Sequence, residues 1–111
     1  MAVVNQYKFY GVDDSTSGAA LTMFGSSSPA STETYIVKSI KVTSAGTPTV
    51  TVVNNSITAI KSAALTANVT TELLTMPMVV EGGTSLTVQS SSSDSFDVAI
   101  SYLNINKEIV S

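Results

Sequence analysis

The adjacent acids Asp13 and Asp14, followed closely by Ser15 and Ser17, are the residues best placed to bind a metal ion. Carboxylate and hydroxyl oxygens are ligands that Ca²⁺ accepts, but their spacing matches no specific calcium loop. Asp and Ser also favour turns, because their side chains hydrogen-bond to the local backbone. The pattern therefore predicts a solvated turn, and we expect the protein to carry neither a metal ion nor another cofactor.

Catalysis has few suitable residues in this chain. Asp94 and Asp97 could in principle act as an acid and a base, and Ser26–Ser28 and Ser91–Ser93 carry hydroxyl groups. An unactivated serine is inert, however, and the sequence has no His to act as its base. Cys and Arg are also absent, which removes thiol catalysis and bidentate phosphate binding. We predict that the protein is not an enzyme and that none of its residues is catalytic.

The composition is unusually poor in charge. Hydrophobic residues make up 43% of the chain and charged residues 12%, against about 25% charged in ordinary soluble domains. The polar positions are instead filled by 18 Ser and 15 Thr, whose short side chains cost little entropy and desolvation in a packed contact. With a net charge of −3 and five scattered Lys, the chain lacks the clustered positive charge that nucleic-acid binding needs. We expect no nucleic-acid partner.

The sequence gives no indication of a membrane protein. No apolar run approaches the roughly 20 residues of a membrane-spanning helix, and the N-terminal residues do not have the basic and apolar regions of a secretory signal. We therefore expect synthesis in the cytoplasm and no membrane partner.

Short runs of β-branched and aromatic residues, separated by Ser, Gly, Asn and Asp clusters, predict an all-β protein. No window has sustained helical periodicity. About eight short strands indicate one antiparallel β-sandwich over residues 1–111, of jelly-roll or immunoglobulin-like type. The predicted strands are Ala2–Tyr10, Ala19–Phe24, Thr34–Thr43, Pro48–Val53, Ile57–Ile60, Val69–Thr75, Met78–Val80, Ser85–Ser90 and Phe96–Ile105.

Alternation within these segments predicts which faces are buried. The segment Phe96–Ile105 alternates most cleanly, whereas Thr34–Thr43 has apolar residues on both parities, so one face should be buried and the other partly so. Asn54-Asn55-Ser56 predicts a tight hairpin turn, and Ser91–Ser95 predicts a second hairpin that returns the chain. We assign the sandwich core to residues 34–105 and a short tail to 106–111.

The N-terminal segment is the predicted contact surface. If Ala2–Tyr10 is an extended strand, large apolar side chains lie on both of its faces, and packing against a single sheet face would bury only one of them. The polar stretch Gly11–Gly18 should be a loop that lets this strand reach a neighbouring chain and add to its sheet. The predicted contact residues are Val3, Val4, Tyr7, Phe9 and Tyr10.

Three blocks of the chain, Tyr35–Thr43, Leu73–Gln89 and Phe96–Ile105, resemble small virion structural proteins of tailed bacteriophages. The resemblance covers residues 34–105 and is carried by strand-and-turn motifs. The turn after Glu81 departs from it, because such proteins usually have an acidic residue after the Gly of this turn and this chain has Gly82-Gly83-Thr84.

The resemblance implies a β-sandwich on the exterior of a virus particle. Its first implication is a capsid decoration or cement protein that binds the major capsid protein, and the alternatives are a neck or tail accessory or a head fibre. A subunit of this kind is expected to form a homo-oligomer, with a trimer favoured by symmetry. A different alternative is a host-recognition module, in which aromatic side chains form a platform for a glycan.

Overall fold

A computed structural model describes residues 2–16, 18–24 and 29–108, and all regular elements in that part of the chain are strands. No helix within the described ranges is long and apolar enough to cross a membrane. The prediction of an all-β sandwich is confirmed. The strands are β1 (Ala2–Ser15), β2 (Leu21–Thr22), β3 (Glu33–Ser44), β4 (Thr49–Asn54), β5 (Ile57–Ala64), β6 (Thr71–Glu72), β7 (Met78–Val80), β8 (Leu86–Ser90) and β9 (Phe96–Glu108).

The strands form two antiparallel sheets. Sheet A has the order β1-β9-β3-β6, with β7 pairing a different part of β3 than β6 does. Sheet B has the order β2-β8-β4-β5. Because β9 lies between β1 and β3 along most of its 13 residues, it is an internal strand of sheet A. The molecule is long and narrow, with extents of 52 × 22 × 21 Å.

The core lies between the inner faces of the two sheets. In β9, Val98 and Ile100 are buried and their odd-numbered neighbours face outward, as the alternation predicted. Leu86 and Val88 of β8 are likewise fully buried. Removing such aliphatic side chains from water contributes roughly 1.5–3 kcal/mol each. The core also includes Met23, which is 0% exposed, so it is not confined to residues 34–105.

A β-bulge explains why β3 has apolar residues at both odd- and even-numbered positions. The register against β9 shifts between Val37 and Ser39, which places the odd-numbered Tyr35 and Val37 on the same buried face as the even-numbered Ile40 and Val42. The prediction of one buried and one partly buried face is confirmed, but these faces do not correspond to the odd- and even-numbered positions along the whole strand. One extra residue in the strand reverses the alternation, and both apolar sets enter a single core.

Glu72 of β6 holds this bulge. Its carboxylate accepts hydrogen bonds from the Ser39 hydroxyl and from the backbone N–H groups of Ile40 (2.8 Å) and Leu74 (3.2 Å). Burial alone would raise the pKa of Glu72, but these hydrogen bonds together with the charge of Lys41 outweigh it and lower the pKa. The carboxylate thus accepts hydrogen bonds from backbone N–H groups that have no partner strand where the bulge interrupts the pairing.

One predicted hairpin is confirmed and the other is wrong. Asn55 and Ser56 both have positive φ, at 51° and 63°, and join β4 to β5 as a two-residue turn. The segment 91–95 instead crosses from β8 in sheet B to β9 in sheet A. Both strands have one apolar face, and placing them in opposite sheets lets those faces meet across the core rather than lie side by side.

An aromatic cluster fills the core around Phe24. Its ring centroid lies 4.8 Å from Tyr35, 4.7 Å from Tyr102 and 5.5 Å from Tyr10. Burial, followed by the nearby Tyr35 and Glu33, raises the pKa of Tyr102. Edge-to-face pairs of this kind contribute about 0.5–1.5 kcal/mol beyond area burial. These four rings therefore belong to the packing of the fold rather than to an exposed platform.

Candidate functional site

Strand β1 forms one edge of sheet A. It pairs with β9 in a continuous antiparallel register from Ala2 opposite Glu108 to Val12 opposite Val98. Among the described strands, β9 is the only partner of β1. Every second N–H and C=O along β1 therefore points away from the sheet, which is the arrangement that accepts an added strand.

The outer face of β1 carries the predicted contact residues Tyr7 and Phe9. Tyr7 is 80% exposed and Phe9 68% exposed. The edge of the Phe9 ring lies over Gly11, where a Cβ atom would be only 3.1 Å from Cε2 of Phe9. The absence of a side chain at Gly11 thus lets the ring lie along the strand with much of its surface bare.

The other predicted contact residues have different placements. Tyr10 lies on the inner face of β1, is half-buried and packs against Phe24. Its assignment as a contact side chain is corrected: it stabilises the sandwich. The backbones of Val3 and Val4 continue the edge strand opposite Lys107 and Asn106, and their side chains lie outside the described part of the structure.

The predicted turn at Asp13-Asp14 is instead a bulge within β1. The strand continues to Ser15, and the register against β9 shifts between Val12 and Ser15. Asp14 has a φ of 54°, a left-handed conformation that Asp tolerates better than most residues. The stretch Gly11–Ser15 is therefore paired strand rather than a flexible loop, and β1 is fixed to the fold along its length.

Hydrogen bonds join this bulge to the start of β9. The Asp14 N–H donates to Oδ1 of Asp97 at 2.6 Å, and the Ser95 hydroxyl donates to Oδ1 of Asp14. A hydrogen bond with Asp97, followed by the negative charge of Asp97, raises the pKa of Asp13. No group of three or more possible ligands within the described residues could hold a metal ion.

A groove of about 480 Å³ crosses the outer face of sheet A beside these residues. Gly11 and Ala99, which lie opposite each other in β1 and β9, have little or no side chain and so leave room for the groove above them. The groove combines an exposed ring with carboxylates, an ammonium group and hydroxyls, and it can hydrogen-bond a small polar ligand. The polar and aromatic side chains lining it are Phe9, Asp13, Lys41, Thr43, Thr70 and Asp97.

A second exposed apolar surface lies at the opposite edge of the molecule. A hollow of about 250 Å³ is lined by Ile57 and Ala59 of β5 and Val79 of β7, and also by the polar residues Asn54, Asn55, Glu81 and Thr84. Ile57 is 69% exposed and Val79 49% exposed. The Asn54 side-chain amide donates to the Val79 carbonyl at 2.8 Å, which ties β4 to β7 below the hollow.

Sequence reasoning missed this hollow. Ile57 and Val79 are apolar residues in correctly predicted strands, and their type alone favours burial. The signal that could have revealed the surface is their position: Ile57 directly follows a tight turn, and Val79 follows Pro77 in a very short strand. Both features are typical of a sheet edge.

No known protein-family model matches this chain, and no curated protein has significant sequence similarity to it.

Proposed function

We propose that the protein is a non-enzymatic structural subunit of a virus particle, acting as a decoration or cement protein on the exterior of the head. The observation that carries the proposal is β1: a 14-residue edge strand with two bare aromatic side chains on its outer face. In soluble monomers, long edge strands are usually shortened, charged or covered, because they pair with other chains. An edge left open fits a protein that works by assembling.

The surface chemistry supports the same proposal. Ser and Thr fill about half of the exposed polar positions of the described residues, and they can be buried between subunits at lower cost than long charged side chains. Repeated contacts on a particle involve large total surfaces, so a low cost for each residue matters. The resemblance of residues 34–105 to phage virion proteins adds the location, and neck or tail attachment remains the alternative place for the same subunit.

The proposed location is tested by cryo-electron microscopy of particles of the virus or prophage whose genome encodes this chain. We expect density for a β-sandwich of this length at regular positions on the head, with β1 at a contact. Density only at the neck or tail would favour the accessory alternative. Absence of the protein from purified particles would overturn the proposal.

A second candidate, recognition of a neutral saccharide, is favoured by one observation, the exposed Phe9 ring beside the groove. Sugar rings stack on aromatic faces, and Asp97 and Thr43 lie opposite each other on the adjacent strands to bind hydroxyls. Titration with neutral oligosaccharides followed by calorimetry tests this candidate. Binding that is lost in Phe9→Ala but kept in Val69→Ala would support it, and no heat of binding would exclude it.

A further inference from the structure

The groove on the outer face of sheet A extends across three strands. Gly11 of β1, Ala99 of β9 and Lys41 of β3 lie in one row, since Ala99 is the register partner of both Gly11 and Lys41. The small residues leave space at the β1 side of this row, where a ligand can lie close to the backbone. The groove volume of about 480 Å³ is within the range of small-molecule sites, roughly 300–1,000 Å³.

The space above Gly11 has an aromatic wall on one side and an acidic wall on the other. The Phe9 ring extends along β1 until its Cε2 and Cζ atoms lie 3.1 and 3.2 Å from where a Cβ atom of Gly11 would be. On the other side of Gly11, Asp13 and Asp97 line the groove and lie within hydrogen-bonding reach of each other. A ligand above Gly11 and Ala99 can therefore contact an apolar ring at one end and two carboxylates at the other.

The negative charge at this end of the groove has no nearby compensation from the groove itself. Among the described residues that line it, Lys41 is the only base, and two strand spacings, roughly 10 Å, separate its backbone from that of Gly11. Lys41 lies opposite Glu72 of β6, and its charge helps to lower the pKa of that carboxyl. Two adjacent carboxylates repel each other when both are ionised, so the acidic wall favours a cation.

We propose that this groove binds a primary alkylammonium compound, with the ammonium group at Asp13 and Asp97 and the carbon chain against the Phe9 ring. An ammonium group has three N–H donors, and the carboxylate oxygens can accept them. The Asp14 N–H already holds Oδ1 of Asp97 at 2.6 Å, which fixes the position of that carboxylate. Each CH₂ group buried against the ring favours binding by up to about fourfold. This site is independent of the proposed role on a virus particle, and its ligand differs in charge from a neutral saccharide.

NMR titration of the full-length chain with butylammonium chloride tests the site. We expect saturable shifts centred on the backbone amides of Gly11 and Ala99. Methylammonium, which has the charge without the chain, should bind roughly tenfold more weakly, because it cannot reach the Phe9 ring. 1-Butanol, which has the chain without the charge, should also bind at least about tenfold more weakly.

Variants of the acidic wall and of the groove floor separate the contributions. Asp97→Asn removes a charge but keeps an oxygen that can accept the Asp14 N–H, and it should weaken butylammonium binding roughly tenfold. Glu81→Gln removes the same charge outside the groove and should leave the affinity unchanged. Ala99→Leu fills the floor and should abolish binding.

Two further variants test the ends of the groove. Phe9→Ala should remove the advantage of butylammonium over methylammonium and leave methylammonium binding as it is. Lys41→Gln removes a charge that repels the ligand and should raise the affinity by about twofold. The amide spectrum of each variant verifies that it is folded.

Each outcome supports or overturns the site. An absence of saturable shifts at Gly11 and Ala99 up to tens of millimolar butylammonium would overturn it. Equal weakening by Asp97→Asn and Glu81→Gln would show a general attraction of cations to an acidic protein, and equal binding of 1-butanol would show an apolar surface without charge recognition. Either result would also overturn the site. Loss of binding in Asp97→Asn and Ala99→Leu, with chain-length dependence lost in Phe9→Ala, would establish it.

Discussion

The two edges of sheet A differ in how open they are to another strand. The β1 edge is one strand of 14 residues. The opposite edge consists of β6 and β7, of two and three residues. The segment between β6 and β7 contains Pro77, which has no N–H to donate to an added strand. In β6, the Glu72 side chain already accepts a backbone N–H of the β3 bulge.

This difference indicates which edge is available for strand addition. Short strands, proline and bulges are the usual means by which proteins prevent edge-to-edge pairing. The β6–β7 edge has two short strands and a proline, and it lies beside the bulge of β3. Along β1, the bulge at Asp13-Asp14 comes only near the end of the strand. The edge with little protection also carries Tyr7 and Phe9, so the openness and the apolar surface coincide.

The largest expected effect distinguishes the two faces of β1. Tyr10→Ala should lower the free energy of unfolding by about 2 kcal/mol, because the ring is half-buried against Phe24. Tyr7→Ala should change it by less than about 0.5 kcal/mol, since Tyr7 is exposed. Urea unfolding followed by circular dichroism, at a concentration where the protein is monomeric, measures both. Equal losses would contradict the division of β1 into a packing face and a contact face.

A smaller loss of stability is expected from a substitution at the β6–β7 edge. Glu72→Gln should cost about 1 kcal/mol at neutral pH, since charge-assisted hydrogen bonds to Ile40 and Leu74 are weakened and partial exposure limits the loss. The folded state lowers the pKa of Glu72, so its contribution is present above the unfolded pKa and is lost as pH falls through the folded pKa. The gap between wild type and variant should therefore close in acid.

Unfolding curves of the two proteins measured across the acidic range test this dependence. Glu81→Gln is the matched control, because the Glu81 carboxylate is exposed and accepts no backbone N–H within the described residues, and this variant should have the stability of the wild type at each pH. A gap between wild type and Glu72→Gln that is independent of pH would mean that the carboxylate charge is not what holds the bulge.

The smallest effect concerns the bulge in β1. The folded state raises the pKa of Asp13 through Asp97, so the protonated form is favoured and its stabilisation is lost as pH rises through the folded pKa. Asp13→Asn keeps a neutral side chain at all pH values. It should slightly raise the melting temperature at neutral pH and make no difference in acid. A lower melting temperature at neutral pH would show that the charge of Asp13 supports the bulge.

Local patterns in the sequence were sufficient to predict most strands. The alternation of Phe96–Ile105 and the turn at Asn55 and Ser56 were read correctly because each depends on neighbouring residues alone. The bulges at Lys38 and Asp13-Asp14 were missed, since each depends on register against β9, which is far away in sequence. Pairing across the chain cannot be derived from alternation, and one extra residue reverses the faces that alternation assigns.

The candidate contact was predicted in part for a similar reason. The excess of apolar residues in Ala2–Tyr10 correctly indicated a second exposed face, and the structure bares Tyr7 and Phe9. It did not indicate that Tyr10 faces the core, because the inward parity of β1 is set by its pairing with β9. The hollow around Ile57 and Val79 was not predicted, since it forms where β5 and β7 of different sheets meet.

Sedimentation of a variant altered only on the outer face of β1 tests most directly whether this edge is the contact surface. The double variant Tyr7→Ser with Phe9→Ser should sediment as a monomer, slightly lighter than the 11.5 kDa wild-type chain, while the wild type and the control Val69→Ser should sediment as larger species. All three should have the same β-type circular dichroism. Undiminished assembly of the double variant would contradict the account and place the contact elsewhere on the molecule.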